Sequence, residues 1–292
     1  MQNTHYIKLF LAPVLWGGGM VAGRIATASL PPFTIAFIRF TLVSLFLIPF
    51  LHRKEGRFPR PTRAELLLLV VLSLSGMLLF NVFLFYGLQT VTAVRSAVII
   101  AFTPAVVALL SGLFFKEKIT LCMSIGILCA FVGVVITVSN GSISLILKGG
   151  ISTGDLFLLG SVAAWTVFTI ITKFAVRNLK PLTVLTYGSL LGAILLIPFT
   201  IWEGGLGELS RQAPEAWISL LYLSVGAAGI AYLWYYEGIK AVGVSRAAIF
   251  LNLEPVSAII LGICILGEQL SLPVTIGALL VVGGLVLTNY KR

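Results

Sequence analysis

Five side chains in this sequence have chemistry that their surroundings do not use: Trp16, Arg39, Trp165, Asn252 and Glu254, each inside a long apolar run. An ionisable group in hydrocarbon is costly and marks a partner, a pathway or a ligand. Glu254 falls about ten residues into its run, which at the helical rise is roughly 15 Å, near the middle of a bilayer. Pro255 follows it and cannot donate, which predicts an unpaired carbonyl at Leu251. With Asn252, this puts a carboxyl, an amide and a free carbonyl at one depth. Such a carboxyl binds an amine when ionised and carries a proton when neutral, so proton and cation compete for one group. The competing reading makes Glu254 a protonated framework group bonded to a neighbouring helix. Arg39 is about 9 Å in by the same rise. There it suits a bound carboxylate, unless it snorkels outward along its stem. Asn81 and Gln89 raise the same question more weakly.

Trp16 and Trp165 also lie about ten residues into their runs. Tryptophan favours the membrane interfaces, so a pair at that depth suits a cavity wall where flat rings meet an organic solute or cation. The alternative is tight packing against Gly17, Gly18 and Gly19. Arg95 and Arg246 stand near the starts of their runs, and Pro104 and Pro255 inside theirs; these four suit gating better than binding. Tyr232, Trp234, Tyr235 and Tyr236 read as an aromatic belt, and neighbouring Glu237 as a solvated helix end.

The elements that must position these residues are written twice. Shifting Gly87–Thr137 by 151 places lands it on Gly238–Thr288 without a gap, matching Arg95 with Arg246, Pro104 with Pro255, Glu117 with Glu268, and Gly126 and Gly133 with Gly277 and Gly284. Upstream, at a shift of 149, Trp16 meets Trp165 and Pro32 meets Pro181. A chain with this pattern is one unit duplicated. Arg39 meets Gly188, so that charge breaks the internal symmetry, as a specificity group should.

Composition sets the solvent. Hydrophobic residues make up 59% and charged residues 10% of the 292 positions, and the mean hydropathy is +1.07. A water-soluble domain carries about 25% charged residues. The chain is expected to be all-α and membrane-integral, with ten transmembrane helices at roughly 7–27, 34–51, 65–87, 93–115, 120–138, 154–174, 182–202, 216–237, 244–265 and 271–290, since about 20 residues cross a bilayer. The two units are 7–138 and 154–290. The first run is full-length and its repeat copy is internal, so it reads as a span and not a cleaved leader. Cys122, Cys129 and Cys264 sit in apolar runs and suggest no disulfide framework.

Basic residues set the orientation. Lys8, the cluster from Arg53 to Arg63, Lys116, Lys118, Lys173, Arg177, Lys180, Lys240, Lys291 and Arg292 share one side; Lys148 and Arg211 take the other. Both termini are therefore expected to face the cytoplasm of a cell (plasma or inner) membrane. The net charge of +10 follows from this bias and is no sign of nucleic acid. Five helices per unit is an odd number, so the second unit starts from the opposite face. The arrangement is an inverted-topology repeat, the architecture of alternating access in secondary transport.

Several motifs carry a family resemblance over nearly the whole chain: Trp16-Gly17, Thr103-Pro104 with Glu117, and above all Leu253-Glu254-Pro255 with Leu266-Gly267-Glu268. The chain resembles tandem EamA domains of the drug/metabolite transporter superfamily. The resemblance implies a ten-helix basket around a central cavity, helices five and ten to one side, and transport of small organic solutes, often export of amino acids or other metabolites.

Other classes fit less well. The histidines, His5 and His52, lie at the margin, and no spacing suggests a metal site or catalytic constellation. No P-loop is present, so ATP hydrolysis is not expected. Enzyme chemistry and a cofactor are therefore not expected. The expected partners are the lipid bilayer and a small-molecule substrate. The alternatives are an uncoupled facilitator or channel and a non-transporting membrane scaffold.

Overall fold

The computed structural model describes residues 2–56, 58–115, 120–142, 151–175, 178–242 and 250–289, and every regular element among them is helical. We number them α1 (Gln2–Ala26), α2 (Pro32–Glu55), α3 (Arg63–Thr90), α4 (Ala93–Ile100), α5 (Thr103–Phe115), α6 (Leu121–Val138), α7 (Thr153–Ala175), α8 (Pro181–Glu203), α9 (214–242), α10 (Leu253–Leu266) and α11 (Leu272–Asn289). Eight helical stretches are long and apolar enough to cross a membrane, and Leu253–Leu266 and Leu272–Thr288 are shorter apolar helices. The outside is as apolar as the inside: Trp202 is 80% exposed and Leu121 77% exposed, a surface suited to hydrocarbon and not to water. The molecule is an all-helical integral membrane protein.

Local chemistry explains the helix ends. Prolines at the first helical position begin α2 and α8, where their missing donor costs nothing. Thr62 and Glu65 form a reciprocal capping box at α3. Gly204 ends α8 at φ 75° and Gly267 ends α10 at φ 65°, a left-handed turn that glycine adopts without strain. At α10 this turn lets the N–H of Glu268 reach back to Gly262 O at 3.3 Å.

The expected continuous helix over 93–115 is broken. It turns at Ala101 and Phe102 and restarts as α5. The cause is Pro104, which cannot donate to the carbonyl of Ile100; the Thr103 hydroxyl takes that carbonyl instead at 2.6 Å. The second unit shows the same device and corrects an expectation. The carbonyl of Leu251 is not free, because the N–H of Glu254 donates to it at 3.1 Å as the chain turns into α10.

The third helix of each unit has a different irregularity. Ser73–Leu79 within α3 and Tyr222–Ile230 within α9 are wound as π-helix. Phe80 N–H bonds Ser75 O, and 151 places on Ala231 N–H bonds Gly226 O. Such wide turns concentrate at functional sites.

The core forms where α1 to α4 meet α7 to α10, with Leu30, Ile35, Phe85, Leu88, Ile99, Leu158 and Leu196 at most 2% exposed. α6 and α11 pack chiefly on each other, backbone against backbone. A Cβ on Gly126 would lie 2.5 Å from Gly284 O, and one on Gly133 would lie 2.7 Å from Gly277 O. Small residues allow this approach, and dispersion over the long contact holds it.

Candidate functional site

Polar contacts gather at the two ends of the bundle and around its middle. At one end Lys8 donates to Glu237 at 2.6 Å, with Lys54 4.0 Å away, and Lys180 pairs with Glu55 at 2.7 Å. Glu237 is thus tied to α1 and α2 and is not merely a solvated helix end. Its partner lies 229 residues away in sequence, a separation no local pattern reveals.

At the opposite end Arg95 meets Asp155 through Nε–Oδ1 at 3.0 Å and NH2–Oδ2 at 2.7 Å, and also donates to Val138 O at 3.0 Å. Asp155 is fully buried and also accepts from Ser152 at 2.7 Å. The geometry thereby ties the starts of α4 and α7 to the end of α6. The carboxylate of Glu268 accepts the N–H groups of Ala93 and Val94 at 2.7 and 2.8 Å, where the helix dipole favours a negative charge. Glu203 does the same for α2, accepting from Phe33 N at 3.3 Å and Thr34 N at 2.9 Å. Arg24 donates to Leu88 O. Asp155 escaped the sequence analysis because a carboxylate at a helix start is ordinary. Arg246 and Glu117 lie outside the described residues.

The middle contains the residues singled out by depth. Trp16 is half-buried. Its indole N–H donates to Ala227 O at 2.9 Å, and its ring meets Tyr232 and Tyr235 edge-on at 5.0 and 5.3 Å. Those two tyrosines belong to the site as well as to the aromatic run at the end of α9. The next residue, Gly17, lies so close to α10 that a Cβ would come 2.7 Å from Glu254 O. Trp16 and Glu254 therefore share one crossing of α1 and α10. Trp165 sits elsewhere, between Phe80 and Phe168 at 4.5 and 4.7 Å. Both tryptophans contact the third helix of a unit, and no contact joins them to each other among the described residues.

Arg39 turns inward. Its NH1 donates to Asn81 Oδ1 at 2.7 Å, and its Nε is buried without a partner. Asn252 Oδ1 is likewise buried and unpartnered. The Glu254 side chain has no hydrogen bond or ion pair among the described residues. Pro104 and Pro255 occupy the helix restarts described above. Trp16 thus lies at the α1–α10 crossing that carries Glu254, while Arg39 is held through Asn81, whose neighbour Phe80 touches Trp165.

A cavity of about 670 Å³ lies apart from these groups, lined by Phe33, Phe83, Tyr86, Phe157, Phe199 and Trp202 among others. It is an aromatic groove on the outside of the bundle, and none of Trp16, Arg39, Asn252 or Glu254 lines it. Its volume does not make it the site, because its lining is almost wholly apolar. Among the described residues no three His, Cys, Asp or Glu side chains come together as metal ligands.

Charged side chains within the apolar helices of a membrane protein need a partner, a pathway or a ligand. The chain belongs to the EamA-like transporter family, whose model matches residues 3–139 and 152–290. It is 31% identical over 292 residues to an uncharacterized transporter of Archaeoglobus fulgidus, covering 100% of this chain and 99% of that protein. It is 29% identical over 291 residues to the uncharacterized transporter YetK of Bacillus subtilis, covering 100% and 88%. A solved crystal structure, 19% identical, matches 96% of this chain and 99% of that one with a TM-score of 0.65; this likeness shows the fold.

Proposed function

We propose that the protein is a secondary transporter that moves an amino acid or a similar zwitterion across the cell membrane by alternating access, with export as the working direction and Glu254 as the proton-coupling group. One observation carries the reading. Among the described residues, Arg39 and Glu254 are oppositely charged side chains of apolar helices with neither an ion-pair partner nor a main-chain hydrogen bond; Lys8, Arg95, Asp155 and Glu237 have ion pairs, and Arg24 and Glu203 bond main-chain groups. In this reading Arg39 binds the substrate carboxylate and Glu254 its amine. Trp16 covers the apolar part, and the unpartnered Asn252 Oδ1 adds an acceptor. Trp165 serves the equivalent wall in the second unit.

The reading takes the two units, 7–138 and 154–290, as inverted five-helix repeats giving ten spans with both termini cytoplasmic. The reciprocal glycine contacts of α6 and α11 support this, since Gly126 meets Gly284 while Gly133 meets Gly277, an exchange that a two-fold axis produces. Arg95 with Asp155 closes one end and Glu237 with Lys8 the other. Pro104 and Pro255 supply the bends about which the fourth helices move, with Arg246 as the counterpart of Arg95. No bond is made or broken in the cargo.

The test is flux of radiolabelled amino acids into proteoliposomes under an imposed pH gradient. Accumulation that collapses with the gradient supports the proposal. Flux that ignores the gradient favours an uncoupled facilitator, and no flux across amino acids and other metabolites favours a scaffold.

A further inference from the structure

Asn81 uses both ends of its amide. Oδ1 accepts from Arg39 NH1 at 2.7 Å, and Nδ2 donates to Gly76 O at 2.8 Å. Gly76 lies in the π-wound part of α3, and the side chain of Asn81 is 2% exposed. Its orientation is therefore dictated, because a flipped amide would set donor against donor at Arg39 and acceptor against acceptor at Gly76. The second unit uses the same carbonyl. Gly76 and Ala227 stand 151 places apart, and Ala227 O receives the indole N–H of Trp16 at 2.9 Å. Asn81 itself corresponds at that shift to Tyr232, which touches Trp16. Each wide turn thus aims a main-chain carbonyl at a candidate side chain, Asn81 in the first unit and Trp16 in the second.

We propose that Asn81 is a positioning residue: anchored on the π-turn carbonyl of Gly76, it holds Arg39 by one nitrogen and leaves the rest of the guanidinium, including the unpartnered Nε, for a carboxylate. This rests on the reading of Arg39 as the carboxylate-binding group. The amide is suited to the task because it is neutral. It directs the cation without neutralising it, whereas an aspartate at the same place would occupy Arg39 from within.

The experiment uses the full chain purified in detergent. The shift in thermal unfolding is titrated with each of the twenty amino acids and with the matching α-amide, which keeps the amine but lacks the carboxylate. The wild type is expected to bind at least one amino acid ten-fold or more tightly than its amide, and Arg39→Gln to lose that preference. Asn81→Asp is expected to abolish the preference while leaving amide binding within about three-fold. Asn81→Ala, which only removes the two bonds, is expected to weaken amino-acid binding about 10-fold, as for one hydrogen bond to a charged group; it also serves if the aspartate variant does not fold. A purely structural asparagine would change both ligands alike. Preference lost in Arg39→Gln but kept in both Asn81 variants overturns the positioning role alone. A wild type without preference, or one whose preference survives Arg39→Gln, overturns the reading of Arg39 and this inference with it.

Discussion

Arg95 and Asp155 meet through two parallel bonds at 3.0 and 2.7 Å, with the carboxylate fully buried. They join helices from the two sequence units at one end of the bundle. Removing the cation alone strands a buried charge, which costs about 3–5 kcal/mol, more than the pair contributes over an apolar replacement. Arg95→Ala is therefore expected to lower the unfolding temperature sharply, and Arg95→Ala/Asp155→Ala to recover part of the loss. A double variant as unstable as the sum of the two single ones would show that the residues act independently.

Glu254→Gln keeps the size and most of the hydrogen bonding of the side chain but removes its titratable proton. Transport driven by a pH gradient is expected to vanish, while exchange of labelled for unlabelled substrate at equal pH continues. A variant that still accumulates substrate with the gradient would return Glu254 to the framework.

The α6–α11 crossing yields a paired test. A Cβ on Gly277 would lie 2.6 Å from Gly133 O, whereas one on Gly283 meets nothing within 4 Å. Gly277→Leu is expected to separate the helices and cut the yield of monodisperse protein several-fold. Gly283→Leu, on the same helix, should be tolerated. Equal yields would mean that the backbone contact is dispensable.

Topology is checked by single cysteines introduced in place of the three native ones. Arg60 and Lys180 are expected to label from the cytoplasmic side, and Ser142 and Glu208 only from the other. Labelling of Arg60 and Glu208 from one side would remove the inverted arrangement.

Much of the helical skeleton was legible because apolar runs, prolines and threonine caps act within a few residues of themselves. The break in 93–115 was not foreseen: Pro104 leaves the Ile100 carbonyl without its helical donor, and the Thr103 hydroxyl takes it instead as the chain turns at Ala101 and Phe102. At Leu251 local reasoning failed, because the proline's lost bond was replaced by the N–H of Glu254. The π-wound segments of α3 and α9 were not read from residue types. Arg39 was flagged by depth, but its link to Asn81 spans 42 residues and two helices. The contact of Tyr232 with Trp16 was not legible, because aromatic clustering at a helix end looks the same from sequence whether the rings face lipid or a neighbouring helix. The place of Tyr232 151 residues after Asn81 was the signal that would have separated the two.

The main-chain contact between Gly126 and Gly284, and between Gly133 and Gly277, has an evolutionary consequence. A joint made of carbonyls and α-carbons does not depend on which large side chains surround it, provided these four positions stay bare. After duplication each copy was thus able to change its inward-facing residues separately without loosening the seam. Arg39 opposite Gly188, and Asn81 opposite Tyr232, are positions at which the two halves differ while the four glycines of the seam match.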